Sequence, residues 1–148
     1  MPLLDRLNAE MKSAMLAKDA DRLSVLRMLK SAIGYAQIER KNENLSEAEL
    51  VTLIQKEAKK RHDSIEQFEK GNRPELAAKE KTELIVLESF LPKALAPEEL
   101  ELLVRNAIAE LGATSKKDMG SVIKAVQTKA AGAADGRSIS ALVGKLLP

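Results

Sequence analysis

The sequence predicts an all-α protein, and three observations carry that prediction. Apolar residues recur at helical spacing along almost the whole chain, and no stretch alternates as a strand does. Aromatic residues make up only 2% of the chain, so the core must be built from Leu, Ile, Val, Ala and Met, which suit helix–helix packing. Charged residues make up 31%, as expected for long solvated helical faces.

The first two helices are predicted over residues 3–17 and 21–41. Pro2 precedes the first, at a position where a missing N–H costs nothing. In the break between them, either Asp19 or Asp21 can cap the second helix. A loop is predicted at residues 42–44. The two apolar stripes comprise Leu3, Leu7, Met11 and Met15 or Ala14 in the first helix, and Leu26, Leu29, Ile33 and Ala36 in the second.

The third and fourth helices are predicted over residues 46–70 and 74–91. Ser46 and Glu49 have the spacing of a capping box, in which the Ser hydroxyl accepts from the N3 amide and the Glu side chain reaches back. A Gly-Asn-Arg-Pro turn at residues 71–74 separates the two helices. Their apolar sides comprise Leu50, Ile54, Ala58, Arg61, Ile65 and Phe68 in the third helix, and Leu76, Leu84, Leu87 and Leu91 in the fourth.

A domain boundary is predicted near residues 92–96, where Pro92 ends one helix and Pro97 begins the next. We expect an N-terminal helical hairpin or bundle over residues 1–92 and a small three-helix domain over residues 97–148. The last three helices are predicted at 97–111, 115–129 and 138–147. The final two share an i, i+3, i+4, i+7 spacing: Met119, Val122, Ile123 and Val126, then Ile139, Leu142, Val143 and Leu146.

The end of the chain differs in charge from the rest. Residues 112–148 carry six basic residues against Asp118 and Asp135, whereas residues 1–111 carry 18 basic and 20 acidic ones. Such asymmetry indicates a polyanionic partner. Two observations count against nucleic acid: six cations on 37 residues are only mildly basic, and no aromatic residue lies among them to stack on bases. If the segment binds a nucleic acid, its lysines are expected to contact phosphates. The candidate nucleic-acid-binding residues are Lys116, Lys117, Lys124, Lys129, Arg137 and Lys145.

The search for catalytic chemistry finds no constellation. The chain lacks cysteine and has one histidine, His62, which excludes thiolate chemistry and a paired-histidine zinc site. Ser64, His62 and Asp63 are neighbours on one helix, and their side chains diverge. The glycines form no phosphate-binding loop. We expect no catalytic residues, no cofactor and no metal.

Two further charged segments receive ordinary interpretations. Lys56, Lys59, Lys60 and Arg61 lie close to acidic residues on the third helix, and i,i+4 pairing explains them. Residues 1–15 carry charges every few positions and lack the apolar core of a signal peptide. We expect a cytoplasmic protein with no membrane partner.

Three blocks of sequence carry a family resemblance. They are RLSVLRMLK at residues 22–30; RHDSIE at 61–66 with LESFLP at 87–92; and DMGSVI at 118–123 with ADGR at 134–137. With these blocks the chain resembles the YqeY family, also called GatB/YqeY-domain proteins, over essentially its whole length.

The resemblance implies an all-helical protein whose C-terminal three-helix module is similar to the tail of the B subunit of the glutamine-dependent tRNA amidotransferase. In that subunit the tail engages tRNA away from the catalytic sites. Within the matching motifs, Gly120 is expected to permit close helix approach and Gly136 to shape the turn into the last helix. The family label of carbon–nitrogen ligase, with glutamine as amido donor, finds no site among the residues.

The sequence and the family resemblance leave three hypotheses for the function. The leading hypothesis is a non-catalytic tRNA-binding or tRNA-amidotransferase-related accessory protein that acts through its basic C-terminal module. The second is a helical protein–protein adaptor, with residues 23–41 or the third helix offering a face to a protein partner. The third is the carbon–nitrogen ligase activity that the family label implies.

Overall fold

A computed structural model of the chain describes residues 2–41 and 43–148, so Asn42 of the predicted loop lies outside the described residues. These residues form seven α-helices and contain no strand, which confirms the all-α prediction. The chain divides into two compact units, Met1–Leu91 and Pro92–Pro148. Each unit is a small helical assembly with a core of its own.

The first unit contains α1 (Leu3–Leu16), α2 (Ala20–Glu39), α3 (Glu47–Lys70) and α4 (Pro74–Glu88). Asp19 caps α2 by accepting the Arg22 N–H. The predicted capping box at α3 is present, because Ser46 accepts from the Glu49 amide while the Glu49 carboxylate accepts from the Ser46 amide. α4 ends at Glu88, three residues before the predicted end.

The core of the first unit has two parts. The larger is formed by all four helices and includes the fully buried Leu7, Leu26, Leu29, Ile54 and Leu87. The smaller lies between α3 and α4 and comprises Ala58, Ile65, Ala77 and Leu84, with Phe68 packed against it.

The structure decides one open choice in the predicted stripes and contradicts one position. In α1 Ala14, one of the two alternatives, is buried together with Leu7, while Met15 is 56% exposed. In α4 the prediction of Leu76 as a core residue is wrong: Leu76 is 39% exposed and Ala77 is buried in its place. A small residue at this position lets α4 lie close to α3.

The second unit contains α5 (Pro97–Leu111), a 3-10 turn (Lys116–Asp118), α6 (Met119–Ala130) and α7 (Gly136–Leu146). Gly112 ends α5 in the left-handed conformation, with φ 62°, as glycine at this position commonly does. The fully buried core residues are Val104, Val122, Val126, Ile139 and Val143.

One expectation about the glycines is wrong. A Cβ added at Gly120 would meet nothing within 4 Å, so Gly120 does not permit a close helix approach. Gly136 is the first residue of α7 and follows the N-cap Asp135, so it lies where the chain turns into the last helix.

Candidate functional site

The six predicted cations of the second unit are all exposed. Lys116 and Lys117 lie in the 3-10 turn, Lys124 and Lys129 in α6, and Arg137 and Lys145 in α7. Ser115 precedes the turn and accepts the Lys117 N–H. The candidate residues therefore come from three consecutive elements of one unit.

The cores of α6 and α7 determine where two of these lysines point. Lys124 lies two residues from the fully buried Val122 and Val126, and Lys145 lies two residues after the buried Val143. Two residues correspond to a rotation of about 200° around a helix. The packing of the valines therefore directs Lys124 and Lys145 away from the core.

Both acidic residues of this segment are engaged with backbone amides. Asp118 accepts the Thr114 N–H at 3.1 Å, and Asp135 caps α7 by accepting the Ser138 N–H at 2.7 Å. Within residues 2–41 and 43–148, no carboxylate lies at ion-pair distance from Lys116, Lys117, Lys124 or Lys145. These residues, the four tail lysines, are therefore not ion-paired with any acidic side chain in the described part of the chain.

Two of the six predicted cations differ from the four tail lysines. The Lys129 ammonium donates to the Glu110 carboxylate of α5 at 2.7 Å. A ligand that used Lys129 would have to compete with this ion pair. Arg137 is exposed on the first turn of α7 and already interacts with another group of the protein. The four tail lysines are therefore the better candidates for a polyanion.

A second charged group lies in the first unit, where Arg61 is a buried charged residue at 8% exposure. Its Nε lies 3.0 Å from a Glu83 carboxylate oxygen and 3.4 Å from one of Glu80, both on α4. Its Nη1 lies 3.8 Å from Glu57, one turn earlier on α3. The Met28 sulfur of α2 lies 4.0 Å from Nη2. Arg61 thus connects three helices, and three carboxylates surround it.

Within this cluster the charged form of Glu80 is disfavoured by its surroundings. Burial raises the pKa of Glu80 above the ordinary value of a glutamate, the neighbouring Glu83 charge raises it further, and the attraction of Arg61 opposes both. The Glu80 oxygen nearest Arg61 accepts no hydrogen bond, although it lies at ion-pair distance. A raised carboxyl pKa can indicate a catalytic acid. Here the buried arginine and its ion pairs explain the cluster as a structural ion network.

The sequence interpretation of Arg61 was incomplete. Pairing of Arg61 with Glu57 at i,i+4 is present, and Lys60 pairs with Glu57 at 3.2 Å. The stronger contacts of Arg61 are with Glu80 and Glu83, which sequence reasoning did not connect to it. The sequence did contain a sign of these contacts. Arg61 lies in the apolar stripe of α3, and a charged residue at such a buried position needs acidic partners.

Other candidates for chemistry are dispersed. His62 is exposed, as its charged surroundings predicted. Exposed carboxylates serve ordinary ion pairs, such as Glu66 with Lys70 and Glu101 with Arg105. Among residues 2–41 and 43–148, no group of three or more His, Cys, Asp or Glu could hold a metal ion. In the same residues, no helix combines the length and apolar character needed to cross a bilayer.

Comparison with known proteins gives one family and a set of fungal relatives. The model of the family described as Yqey-like protein matches residues 4–147. A Lachancea thermotolerans protein named altered inheritance of mitochondria protein 41, mitochondrial, is 35% identical over 107 residues, covering 71% of this chain and 57% of that protein. Its namesake in Vanderwaltozyma polyspora is 31% identical over 123 residues, covering 79% and 66%. The one in Pyrenophora tritici-repentis is 31% identical over 134 residues, covering 89% and 73%.

The names of these relatives contradict the expected location, and this chain covers only part of their length. The expected cytoplasmic location is contradicted, because the relatives are named as mitochondrial proteins. That expectation rested on the composition of residues 1–15 and on the lack of a long apolar run in the sequence, neither of which identifies a compartment. The chain spans 57% and 66% of the length of the first two relatives.

Proposed function

Because the chain belongs to the YqeY-like protein family, whose model covers residues 4–147, we propose that it is a non-catalytic accessory protein that binds tRNA through its second unit. The observation that carries the proposal is the set of four tail lysines, Lys116, Lys117, Lys124 and Lys145, which are exposed and have no carboxylate at ion-pair distance in the described residues. The resemblance of this unit to the tail of an amidotransferase B subunit favours tRNA among polyanions.

The chemistry of the surface matches phosphates rather than bases. Lysine ammonium groups contact phosphate oxygens and position an RNA without reading its sequence. Residues 92–148 contain no Phe, Tyr or Trp, so this unit offers no ring for a base to stack on. A folded RNA with closely spaced phosphates suits such a surface better than an extended single strand.

The salt dependence gives the proposal a quantitative form. Each neutralised phosphate lowers the slope of log K against log salt by about 0.7–0.9. Four lysine contacts therefore predict a slope of roughly −3 to −3.5 and a loss of affinity of about a hundredfold between 50 and 200 mM salt. Binding by fewer lysines would give a proportionally shallower slope.

The test is tRNA binding by a charge-reversal variant with a matched control. Lys117→Glu combined with Lys124→Glu removes two contacts and adds repulsion, so we expect the salt slope to become shallower by about 1.4–1.8 and the low-salt affinity to fall at least tenfold. The control combines Lys12→Glu with Lys59→Glu, two exposed lysines of the first unit, and changes the net charge equally.

Fluorescence anisotropy with labelled tRNA measures both variants, and circular dichroism verifies that each is folded. Equal weakening by the two variants would mean that net charge, rather than the second unit, governs binding. No tRNA binding by the unaltered chain at low salt would remove the proposal.

The carbon–nitrogen ligase alternative receives no support from the geometry. Amide transfer through a covalent intermediate requires a nucleophile beside an activating base. The chain has no cysteine, and its histidine is exposed in the middle of α3. Nothing in the tRNA-binding proposal requires a reaction.

A further inference from the structure

α2 leaves one side uncovered although that side carries large apolar residues. Leu26, Leu29 and Ile33 are buried in the core of the first unit. Away from that core, on the uncovered side of the same helix, the exposed fraction is 51% for Met28, 71% for Tyr35 and 65% for Ile38. A helix that is apolar on more than one side is ordinarily covered on each of them, and a contiguous exposed apolar surface marks an interaction site.

The exposed side carries two shallow depressions that adjoin each other. One depression of about 530 Å3 runs along α2 and is lined by Leu23, Arg27 and Met28 among others. A second of about 630 Å3 lies between α2 and α3 and is lined by Leu45 and Leu53. Ala32 and Tyr35 line both depressions, so the two join into what is called here the α2 groove.

The length of the α2 groove suits a helix. Its lining residues on α2 extend from Ala20 to Glu39, which corresponds to about 30 Å at a rise of 1.5 Å per residue. An amphipathic helix that lies in a groove uses anchors at i, i+3, i+4 and i+7. Met28 and Tyr35 are suitable receptors for such anchors, because methionine adapts its shape and tyrosine is enriched where binding energy concentrates.

The charges along the groove define the complementary partner. Arg40 and Lys60 are already paired, with Glu49 and Glu57 respectively. Arg27 and Lys56 also line the groove, and in the described residues neither has a carboxylate at ion-pair distance.

Glu39 adds one negative charge near the end of α2. The uncompensated charge along most of the groove is therefore positive. An acidic partner gains from this and a basic one is repelled.

We propose that the α2 groove docks an amphipathic helix from a partner protein, with an apolar stripe against Met28 and Tyr35 and acidic side chains opposite Arg27 and Lys56. This site lies in the first unit and is independent of the lysines proposed to bind tRNA. It assigns a binding role to a face that the tRNA proposal leaves unused.

The test uses two synthetic helical peptides of equal length and apolar stripe. One carries glutamates on its flanks and the other carries lysines at the same positions. Fluorescence anisotropy with the full chain should show the glutamate peptide binding at least about tenfold more tightly than the lysine peptide. The charge-swapped chain, Arg27→Glu with Lys56→Glu, should reverse the preference, and loss of folding cannot produce a reversal.

A second pair of variants locates the site. Tyr35→Ser should weaken the glutamate peptide at least about tenfold, as expected for a central aromatic anchor. Ile85→Ser, which alters a side chain 69% exposed on α4 and outside the groove, should leave binding unchanged. The Lys117→Glu and Lys124→Glu variant should also bind the peptide normally, so failure of the tRNA proposal would leave this one standing.

Three outcomes would overturn the proposal: equal affinity for the two peptides, no binding of either peptide at about millimolar concentration, or equal weakening by Tyr35→Ser and Ile85→Ser. Analytical ultracentrifugation of the unaltered chain tests whether a second copy of the chain, rather than a partner protein, occupies the groove. A dimer that Tyr35→Ser dissociates would assign the groove to a second copy and contradict the partner proposed here.

Discussion

Replacing Arg61 with methionine is the sharpest test of how the first unit is held together. The substitution keeps an unbranched, buried side chain beside Met28 but removes the cation that lies 3.0, 3.4 and 3.8 Å from Glu83, Glu80 and Glu57. Those carboxylate side chains are only 16%, 22% and 17% exposed. Without Arg61, three poorly solvated negative charges would face one another.

The expected cost follows from these distances. A pair of charges about 4 Å apart attracts by roughly 4 kcal/mol at an effective dielectric constant of 20, and the desolvation of the arginine offsets much of the sum. Removing one partner of a buried ion pair typically costs about 3–5 kcal/mol. Because the carboxylates retain some solvent contact, we expect a loss near the lower end, about 3 kcal/mol. Whole domains are stable by only about 5–15 kcal/mol.

Urea unfolding followed by circular dichroism measures the loss. Hydrogen exchange of α3 amides assigns it to the first unit. The matched control is Lys70→Met on the same helix, whose ion pair with Glu66 has side chains 72% and 51% exposed and should cost no more than about 1 kcal/mol.

Adding Glu80→Gln and Glu83→Gln to Arg61→Met should recover most of the lost stability, because the uncompensated charges are then removed. If Arg61→Met cost no more than the Lys70→Met control, the description of a buried, mutually dependent network would be refuted.

Two further predictions concern single positions. Since the folded-state pKa of Glu80 is raised by burial and by Glu83, its charge costs stability at neutral pH and the cost disappears as pH falls through that pKa. Glu80→Gln should therefore be more stable than the parent at pH 7 in urea unfolding, and the two should converge in acid; a widening difference would contradict the assignment. Gly112 and Ala131 both adopt left-handed conformations, with φ 62° and 49°. Ala131→Gly should raise the free energy of unfolding of the second unit and Gly112→Ala should lower it, each by about 1 kcal/mol, and thermal unfolding measures both changes. Shifts of the same sign in both variants would show that packing rather than backbone conformation dominates.

The features that the sequence predicted are those with local causes. The number of helices, the Asp19 cap and the capping box of Ser46 and Glu49 depend on residues within one turn of each other. Helix ends were less accurate, because the turn at Lys116–Asp118 tightens into a 3-10 conformation and α4 stops at Glu88. At the end of a helix, α and 3-10 hydrogen bonding differ little in energy, so the local sequence pattern does not decide between them.

The contacts that the sequence did not predict join residues far apart in the chain. Glu83 lies 22 residues from Arg61 and Glu110 lies 19 residues from Lys129. Both pairs depend on which helices become neighbours and in which register. The exposed tail lysines could be predicted because their positions follow from the buried stripe of their own helices. Their proposed contact with tRNA stays a prediction.

The high charge content of this chain is divided among roles with different energetic consequences. Arg61 and its carboxylates are buried, so a change there alters stability. Exposed i,i+4 pairs such as Glu101 with Arg105 contribute little to stability or recognition. The four tail lysines have no carboxylate partner in the described part of the chain, so their contact with a polyanion would break no existing ion pair. Stability and RNA binding should therefore separate by mutation. A tail-lysine variant that unfolded the second unit would show that the same charges serve the fold, and the argument for an RNA surface would lose its basis.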